Sequence, residues 1–599
     1  MKPNKKPVTP IKKETADTVR KPGTEKKSTN VSSVSFFDSM ENHFSSKQNL
    51  YLAISVLLAA AFSYLCFDAK ISLANDDALY IEAGAKYANA FFNHDSFYLA
   101  NAPLYPMLLG LVIKIFGVKL LTLKAFSVLL FCLGTTFVFF AFRNRIPFII
   151  LIPSLLLTAI NFPYLMYASL TYSECLYLVI IGLSFYILLR SFEKIDATEN
   201  FSVQSILPVV LIGFAGFLFL ITRNIAVISI VPIVLFLVYR KRFIEAGASV
   251  VSFGAFYFLY KLAIKVIWKI DGSQYASQSG IIFNKNAYNP SLGKETFGGF
   301  VARLIENSQI YIGQRFMYVL GFRDEMSSAI GADGNITEYT SANKFIVFIF
   351  IGIVLASLYY MHKNKQYVLF FSTLFFSVLL GTTFVALQTS WGQTRLIMVY
   401  LPLILFSILY LFYAIGKEYA FLQFLLPLVF IVLYFSSLKA TLLQVSERYP
   451  VLQINLHEDP TYGYTTDWQN YIKMTKWCAQ NLPNETKQIA VRKAPMSYIF
   501  SEGKEFYPIY STPYQDADSL LTPFRVAHVN YIMPAKLRVV QDQYIEGQFI
   551  STVHRYMAFI AQKYGDRAFS YVHHEGDIEE AVLYKINWNY IDSIKPYLK

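Results

Sequence analysis

Pro103-Leu104-Tyr105-Pro106-Met107-Leu108-Leu109-Gly110-Leu111-Val112-Ile113-Lys114-Ile115-Phe116-Gly117 is the stretch on which the layout of this chain turns. It is apolar enough to pass for a membrane span. About fifteen residues of helix rise roughly 22 Å, however, which is short of the ~30 Å hydrocarbon core. The stretch is therefore read as a helix lying along the outer surface. Counting it as a span would put Arg143 and Arg145 outside and invert every later loop.

Outward from that stretch the chain is apolar in both directions. Of its 599 residues 55% are hydrophobic and 16% charged, with a mean hydropathy of +0.39, too apolar for an ordinary soluble domain. Spanning runs are read at 49–67, 122–142, 146–164, 174–190, 203–222, 224–239, 244–266, 344–361, 366–387, 395–414 and 419–438, each long enough or nearly so. The expected fold is predominantly α, a polytopic membrane protein of about eleven helices with a small C-terminal α/β domain. Residues 1–48 read as a disordered basic tail, 49–439 as the transmembrane domain with outer loops 68–121 and 267–343, and 440–599 as an extracytoplasmic domain. Strand-like runs at Gln488 to Val491 and Val529 to Met533 belong to the last.

The formal net charge of +13 does not point to nucleic acid. The basic residues fall in the tail and in short loops: Arg143/Arg145, Arg190/Lys194, Arg240-Lys241-Arg242, Lys363/Lys365 and Lys417. Those loops lie on one side when the tail is cytoplasmic, as the positive-inside rule requires. The four cysteines form no CxxC or Cys/His metal spacing. The tail is too long for a signal-peptide leader, so the first apolar run is expected to stay as an anchor.

Chemistry is expected where charge defies this pattern. Asn75-Asp76-Asp77 follows the first span directly, and adjacent carboxylates at a membrane surface are costly unless used. The same outer loop carries Glu82, His94 and Asp95, of which Glu82 and Asp95 read as solvated acids. Arg223, Arg395 and the four-spaced Lys261, Lys265 and Lys269 sit at outer ends of spans, against the orienting rule, so an anion is expected to hold them. The three lysines at that spacing share one helical face. Glu174 opens a span at the same level, where a helix dipole favours an acid.

An acidic pair after the first span, the amphipathic stretch Leu79 to Phe92, the Pro-Leu-Tyr-Pro surface helix and eleven spans before an exported domain resemble the GT-C glycosyltransferases. Within them the chain looks like the branch of protein O-mannosyltransferases and lipid A aminoarabinose transferases. The resemblance implies an inverting transferase that moves a sugar from a polyprenyl-phosphate donor to a hydroxyl of a glycan, lipid or protein acceptor. It implies Asp76 as base, with Asp77 orienting the acceptor or a divalent metal. Arg223, Arg395 and the three lysines are expected to bind the donor phosphate, and Glu174 or His94 a sugar or a metal. Where many relatives have His-Pro-Pro, this chain has Asn101-Ala102-Pro103. The expected location is a bacterial inner membrane, with the site facing the periplasm and membrane lipids as further partners.

Two other functions fit parts of the pattern. A glycan polymerase or ligase with a lipid diphosphate donor needs paired arginines in an outer loop, and Arg303, Arg315 and Arg323 lie in 267–343. A transporter or flippase needs charged or broken helices near the midplane, whereas the strong charges here lie at the edge. The topology is tested by reporter fusions. An enzyme fused after Lys599 is expected to be active only outside the cytoplasm, and cytoplasmic activity alone would overturn the assignment.

Overall fold

The computed structural model describes residues 36–72, 76–93, 102–198, 201–269, 282–286, 290–323, 341–389, 392–509, 516–538 and 552–594. Inside a bilayer a backbone must satisfy its own hydrogen bonds, which makes long apolar runs helical. Among the described residues nine helices are long and apolar enough to cross a membrane, or up to ten if a bent pair counts as one span. The chain is a multi-pass, predominantly α membrane protein.

Polar contacts fix which helix ends share a level. At one level Arg145 lies 2.6 Å from Glu193, Arg240 2.9 Å from Asp196 and Lys363 2.8 Å from Glu418. At the other Arg223 lies 3.3 Å from Glu174 and Arg448 4.0 Å from Asp68. The basic loops read from the sequence thus gather at one end of the bundle, and the acidic pair and its arginines at the opposite end.

Four of the eleven runs are not simple helices: 395–414 divides between Arg395–Met398 and Leu401–Glu418, and 419–438 opens with the 3₁₀ turn Ala420–Leu422 before Leu425–His457. Run 146–164 is a pair, α6 (Phe148–Ala159) and α7 (Phe162–Ala168), bent by 56°. The bend falls at Asn161, whose side chain accepts from the Tyr164 amide and caps the second helix. Run 224–239 opens as a 3₁₀ helix, Asn224–Ser229, and continues as α10 (Ile230–Tyr239). As α-helix it would rise only ~24 Å, but the tighter winding, at ~2.0 Å per residue, lengthens it to about 27 Å. The arginines flanking it pair with the first and last residues of α8 (Glu174–Asp196), so it joins the same two levels as that 23-residue helix.

The sequence expectation needs correction at both ends of the membrane region. Residues 36–46, assigned to the tail, form helix α1 (Phe36–Ser46). Phe37 is buried, and the Glu41 carboxylate accepts from the amides of Phe148 and Ile149 at 2.9 and 2.8 Å, capping α6. Residues 1–35 lie outside the described residues. The boundary set at 440 falls inside one 33-residue helix, Leu425–His457, so the C-terminal domain begins only after it. Its five-stranded sheet has the order β2-β1-β3-β5-β4, where β2 is Tyr507–Pro508, β4 Phe569–Glu575 and β5 Ala581–Ile586. The runs read as strands are β1 (Ile489–Val491) and β3 (Tyr531–Met533), paired in parallel.

Between the first two spans lie α3 (Asp76–Ala90) and α4 (Leu104–Phe116), the latter being the stretch that decided the layout. Gly117, at φ 76°, ends α4 where a side chain would be strained. The two helices meet through glycines: a Cβ on Gly84 would stand 2.9 Å from Leu109 Cβ, and one on Gly110 2.9 Å from Gly84 O. This close approach fixes α3, which carries the acidic pair. Gly84→Val is expected to force α3 off α4 at a cost of roughly 1–3 kcal/mol. A lower unfolding temperature in detergent is the readout, with the exposed Gly247→Ala, where a Cβ meets nothing within 4 Å, as the control that is not destabilised.

Candidate functional site

Asp76 is the first residue of α3, and its Oδ2 accepts from Arg395 Nη2 at 2.8 Å. Arg395 Nε donates to Gln393 Oε1 at 2.6 Å and stands 3.9 Å from Glu174 Oε1. That same oxygen accepts from Arg223 Nη1 at 3.3 Å. Asp76, Arg395, Glu174 and Arg223 thus form one chain of alternating charge, drawn from four separate elements. The Arg395 and Arg223 guanidinium groups also lie 5.2 and 5.6 Å from the ring centroids of Tyr172 and Tyr177.

Burial grades this chain. The Glu174 side chain is 1% exposed and that of Asp76 43%. Glu174 is the first residue of α8, where the unpaired amides of a helix start favour negative charge, and its Oε2 has no hydrogen-bond partner among the described residues. For Arg395, burial works against the charge, and the carboxylates of Glu174 and Asp76 offset it.

The structure separates residues that the sequence grouped. Asp77 is fully buried, accepting from the Ser72 amide at 2.9 Å, from the Ser72 hydroxyl and from the Ala78 amide. Successive residues on a helix point about 100° apart, so Asp77 turns into the protein while Asp76 faces the arginines. It holds the start of α3, with Thr171 donating to its backbone oxygen at 3.1 Å, and it cannot orient an acceptor as expected.

The lysine stripe is corrected too. Helix α11 (Phe243–Val266) ends before Lys269, which takes φ 52° and leaves the shared face. Beyond the helix Trp268 Nε1 donates to Phe91 O at 2.9 Å. Lys261, Lys265 and Lys269 therefore lie beside the far end of α3, about fifteen residues or roughly 22 Å of helix from Asp76. His94 lies outside the described residues.

The three loop arginines are each engaged locally. Arg303 donates to Ile282 O at 2.8 Å and to Glu295 at 2.8 Å, and Arg323 to Asn343 Oδ1 at 2.9 Å. Arg315 Nε donates to Gly392 O at 2.7 Å and so fixes the turn that presents Gln393 and Arg395. Arg315 belongs to a π-helix, Gln309–Phe316, that follows α12 (Phe297–Ser308). Such wide turns recur at functional sites.

Gln393 and Arg315 as supports of the site escaped sequence reading, since neither has a local pattern. Lys124 did have a signal, a lysine inside an apolar run. It is fully buried, and its Nζ donates to Asp68 O at 2.8 Å and to Lys70 O, pinning the strand of chain that leads into α3.

Beside the π-helix runs an apolar groove of about 660 Å³, lined by Leu304, Ile312, Phe348, Ile351, Leu380 and Phe384 among others. Ser308, Gln309 and Lys344 line it as well. Its walls are α12, the π-helix, α13 (Ser341–Lys363) and α14 (Tyr367–Ala386). One turn of π-helix therefore touches both the groove, through Ile312, and the Arg395 turn, through Arg315.

No three His, Cys, Asp or Glu side chains among the described residues are grouped to hold a metal ion. At the site itself both carboxylates are already paired with guanidinium groups, so neither is free to hold a metal unless an arginine is displaced.

No protein-family model matches the sequence, and no curated protein matches it. The solved structure of the archaeal oligosaccharyltransferase AglB from Archaeoglobus fulgidus, with an inhibitory peptide and a dolichol-phosphate, is similar with a TM-score of 0.49 at 11% identity, over 91% of this chain and 75% of that one. The Archaeoglobus fulgidus oligosaccharyltransferase in complex with Zn and sulfate gives 0.48 at 13% identity, over 81% of this chain and 68% of that one. A likeness at that level leaves the functional reading to the side chains of this chain.

Removing the buried acid tests the charge chain. Glu174→Gln leaves two guanidinium groups with one carboxylate and is expected to cost about 3 kcal/mol. Glu193→Gln, at a half-exposed carboxylate paired with Arg145 at the other level, should cost less, about 1 kcal/mol. Unfolding in detergent compares them, and equal small losses would mean that Glu174 does not hold the arginines.

Proposed function

We propose that the chain is an inverting glycosyltransferase of the GT-C type, which moves a sugar from a polyprenyl-phosphate donor to an acceptor hydroxyl at the outer membrane surface. The observation that carries this reading is the convergence of Asp76, Arg395, Glu174 and Arg223 at one end of the bundle, next to an apolar groove. A donor of this kind has a phosphodiester head and a hydrocarbon tail, and the two features match its two halves.

In this reading the tail lies in the groove and the phosphate meets Arg395 and Arg223. The incoming anion takes Arg395 from Asp76, the most exposed member of the charge chain, and leaves Asp76 Oδ2 without its donor. The acceptor oxygen then attacks the anomeric carbon from the face opposite the phosphate. The bond between that carbon and the phosphate oxygen breaks, the oxygen keeping the electron pair, and the acceptor proton passes to Asp76. One displacement inverts the anomeric centre. The leaving group is a phosphate and needs charge stabilisation more than a proton, which the two guanidinium groups supply. Asp77 and Lys124 act as positioning residues for the start of α3.

The lipid-diphosphate reading loses its main support, because Arg303, Arg315 and Arg323 are all spent on contacts within the loop or its neighbours. The test is a transfer assay with a polyprenyl-phosphate sugar. Asp76→Asn is expected to lower transfer by about 10²-fold or more with donor affinity nearly unchanged. Arg395→Gln is expected to weaken donor affinity about ten- to a hundredfold, the loss of one charge-assisted contact. Normal turnover in Asp76→Asn would refute the assignment.

A further inference from the structure

A second cavity, of about 260 Å³, opens between α3 and the exported domain, away from the charge chain. From α3 it is lined by Glu82, Lys86 and Asn89, and from the domain by Tyr498, Glu505 and Phe506. Positions 82, 86 and 89 follow the helical spacing of one face, so a single side of α3 is turned to the domain across this gap. The opposing wall is the helix Ala494–Phe500 and the segment that leads into β2 (Tyr507–Pro508).

The lining has a definite chemical character. Glu82 lies 3.5 Å from Lys86, and Glu505 2.8 Å from Lys487 at the rim. Each carboxylate thus has its own ammonium partner, and the charge balances. A cationic peptide or an anionic headgroup would meet no net opposite charge here. The cavity instead offers carboxylate and amide oxygens as acceptors, amide and ammonium hydrogens as donors, and the rings of Tyr498 and Phe506 as apolar faces. Both rings are otherwise buried. The phenol stands close enough to Glu505 and Glu82 to feel both: burial first, then these two carboxylates, push its pKa up to about 12, which keeps it a neutral donor.

We propose that this cleft binds a saccharide unit of the acceptor, so that the acceptor is a glycan or glycan-bearing molecule. A neutral, hydroxyl-rich ring with one apolar face matches alternating acceptors, donors and aromatic edges. The volume lies below the ~300–1,000 Å³ of drug-sized sites and suits one or two sugar rings. Glu82 is six residues from Asp76 and Asn89 thirteen, about 9 and 20 Å along the helix axis. The cleft therefore holds a unit remote from the reacting hydroxyl. Binding energy from such a remote unit orients the hydroxyl at Asp76. The proposal rests on the transferase reading for the role of the bound sugar, though not for the binding itself.

The test uses the full-length protein in detergent micelles and a panel of methyl glycosides of common hexoses, pentoses and N-acetylhexosamines, with binding read by saturation-transfer NMR. At least one glycoside is expected to bind. Glu82→Gln and Asn89→Ala, both at partly or fully exposed positions, should each weaken it about tenfold, while Asp76→Asn leaves it unchanged. Tyr498→Phe, which keeps the ring, should weaken it less than Glu82→Gln. If no glycoside binds, or if binding is equal in the cleft variants, the proposal is overturned; a lysine-rich peptide that binds in their place would assign the cleft to a protein. The two readings fail separately. Lost transfer in Asp76→Asn with unaltered glycoside binding in the cleft variants removes only the cleft. Normal transfer in Asp76→Asn with cleft-dependent glycoside binding removes only the transferase assignment.

Discussion

One buried carboxylate between two guanidinium groups organises one end of this protein's helix bundle. Glu174 is withdrawn from water at a helix start, a placement that costs several kcal/mol unless paired. Arg223 and Arg395 supply the pairing from two other segments. Arg395 then has charge to spare, and Asp76 answers it from a fourth. The helices α3, α8 and α9 (Val203–Thr222) and the 392–395 turn are thereby tied at a single point. The supports around it serve the same geometry: Arg315 fixes the turn, Asp77 and Lys124 fix the entry to α3, and the glycine contact with α4 fixes the axis of α3.

The members of this charge chain differ in how easily they can be exchanged. Glu174 is sealed in, and removing it leaves buried cations unpaired. Asp76 is open to solvent on one side, and water can replace its contact with Arg395 at little cost. An anion that arrives from outside therefore competes with Asp76 and not with Glu174. In the proposed reaction this makes donor binding and release of the base one event, without any movement of a helix. The π-helix, which touches both the Arg395 turn and the apolar groove, places the tail of the same ligand beside its head.

Much of this was legible in the sequence because hydropathy and charge act locally. Runs of apolar residues gave the helices, and basic loops gave the common level of their ends. Asp76, Arg223 and Arg395 stood out because each broke that pattern. Where a second force intervened, the sequence misled. The apolar face of Phe37, Met40 and Phe44 orders a segment whose overall composition is polar. Helical rotation by one residue turns Asp77 away from its neighbour. A helix end at Val266 breaks the lysine stripe before Lys269. The groove and the cleft had no sequence signature at all, since their walls come from segments far apart in the chain.

The division of labour between elements follows from what is rigidly joined to what. Helix α3 carries Asp76 at its start and Glu82, Lys86 and Asn89 along one side, so Asp76 and one wall of the cleft belong to one body braced on α4. The arginines belong to the other body, the bundle of α8 and α9 with the 392–395 turn. Between the two, Arg395 and Asp76 make a direct charged contact, while Thr171, just before α8, holds the backbone at Asp77. In the proposed reaction an acceptor held between α3 and the C-terminal domain and a donor held on the bundle are brought into register by the junction where Asp76 meets Arg395. In that reading the reacting atoms meet at the same junction, where the first turn of a helix holds the acid in place.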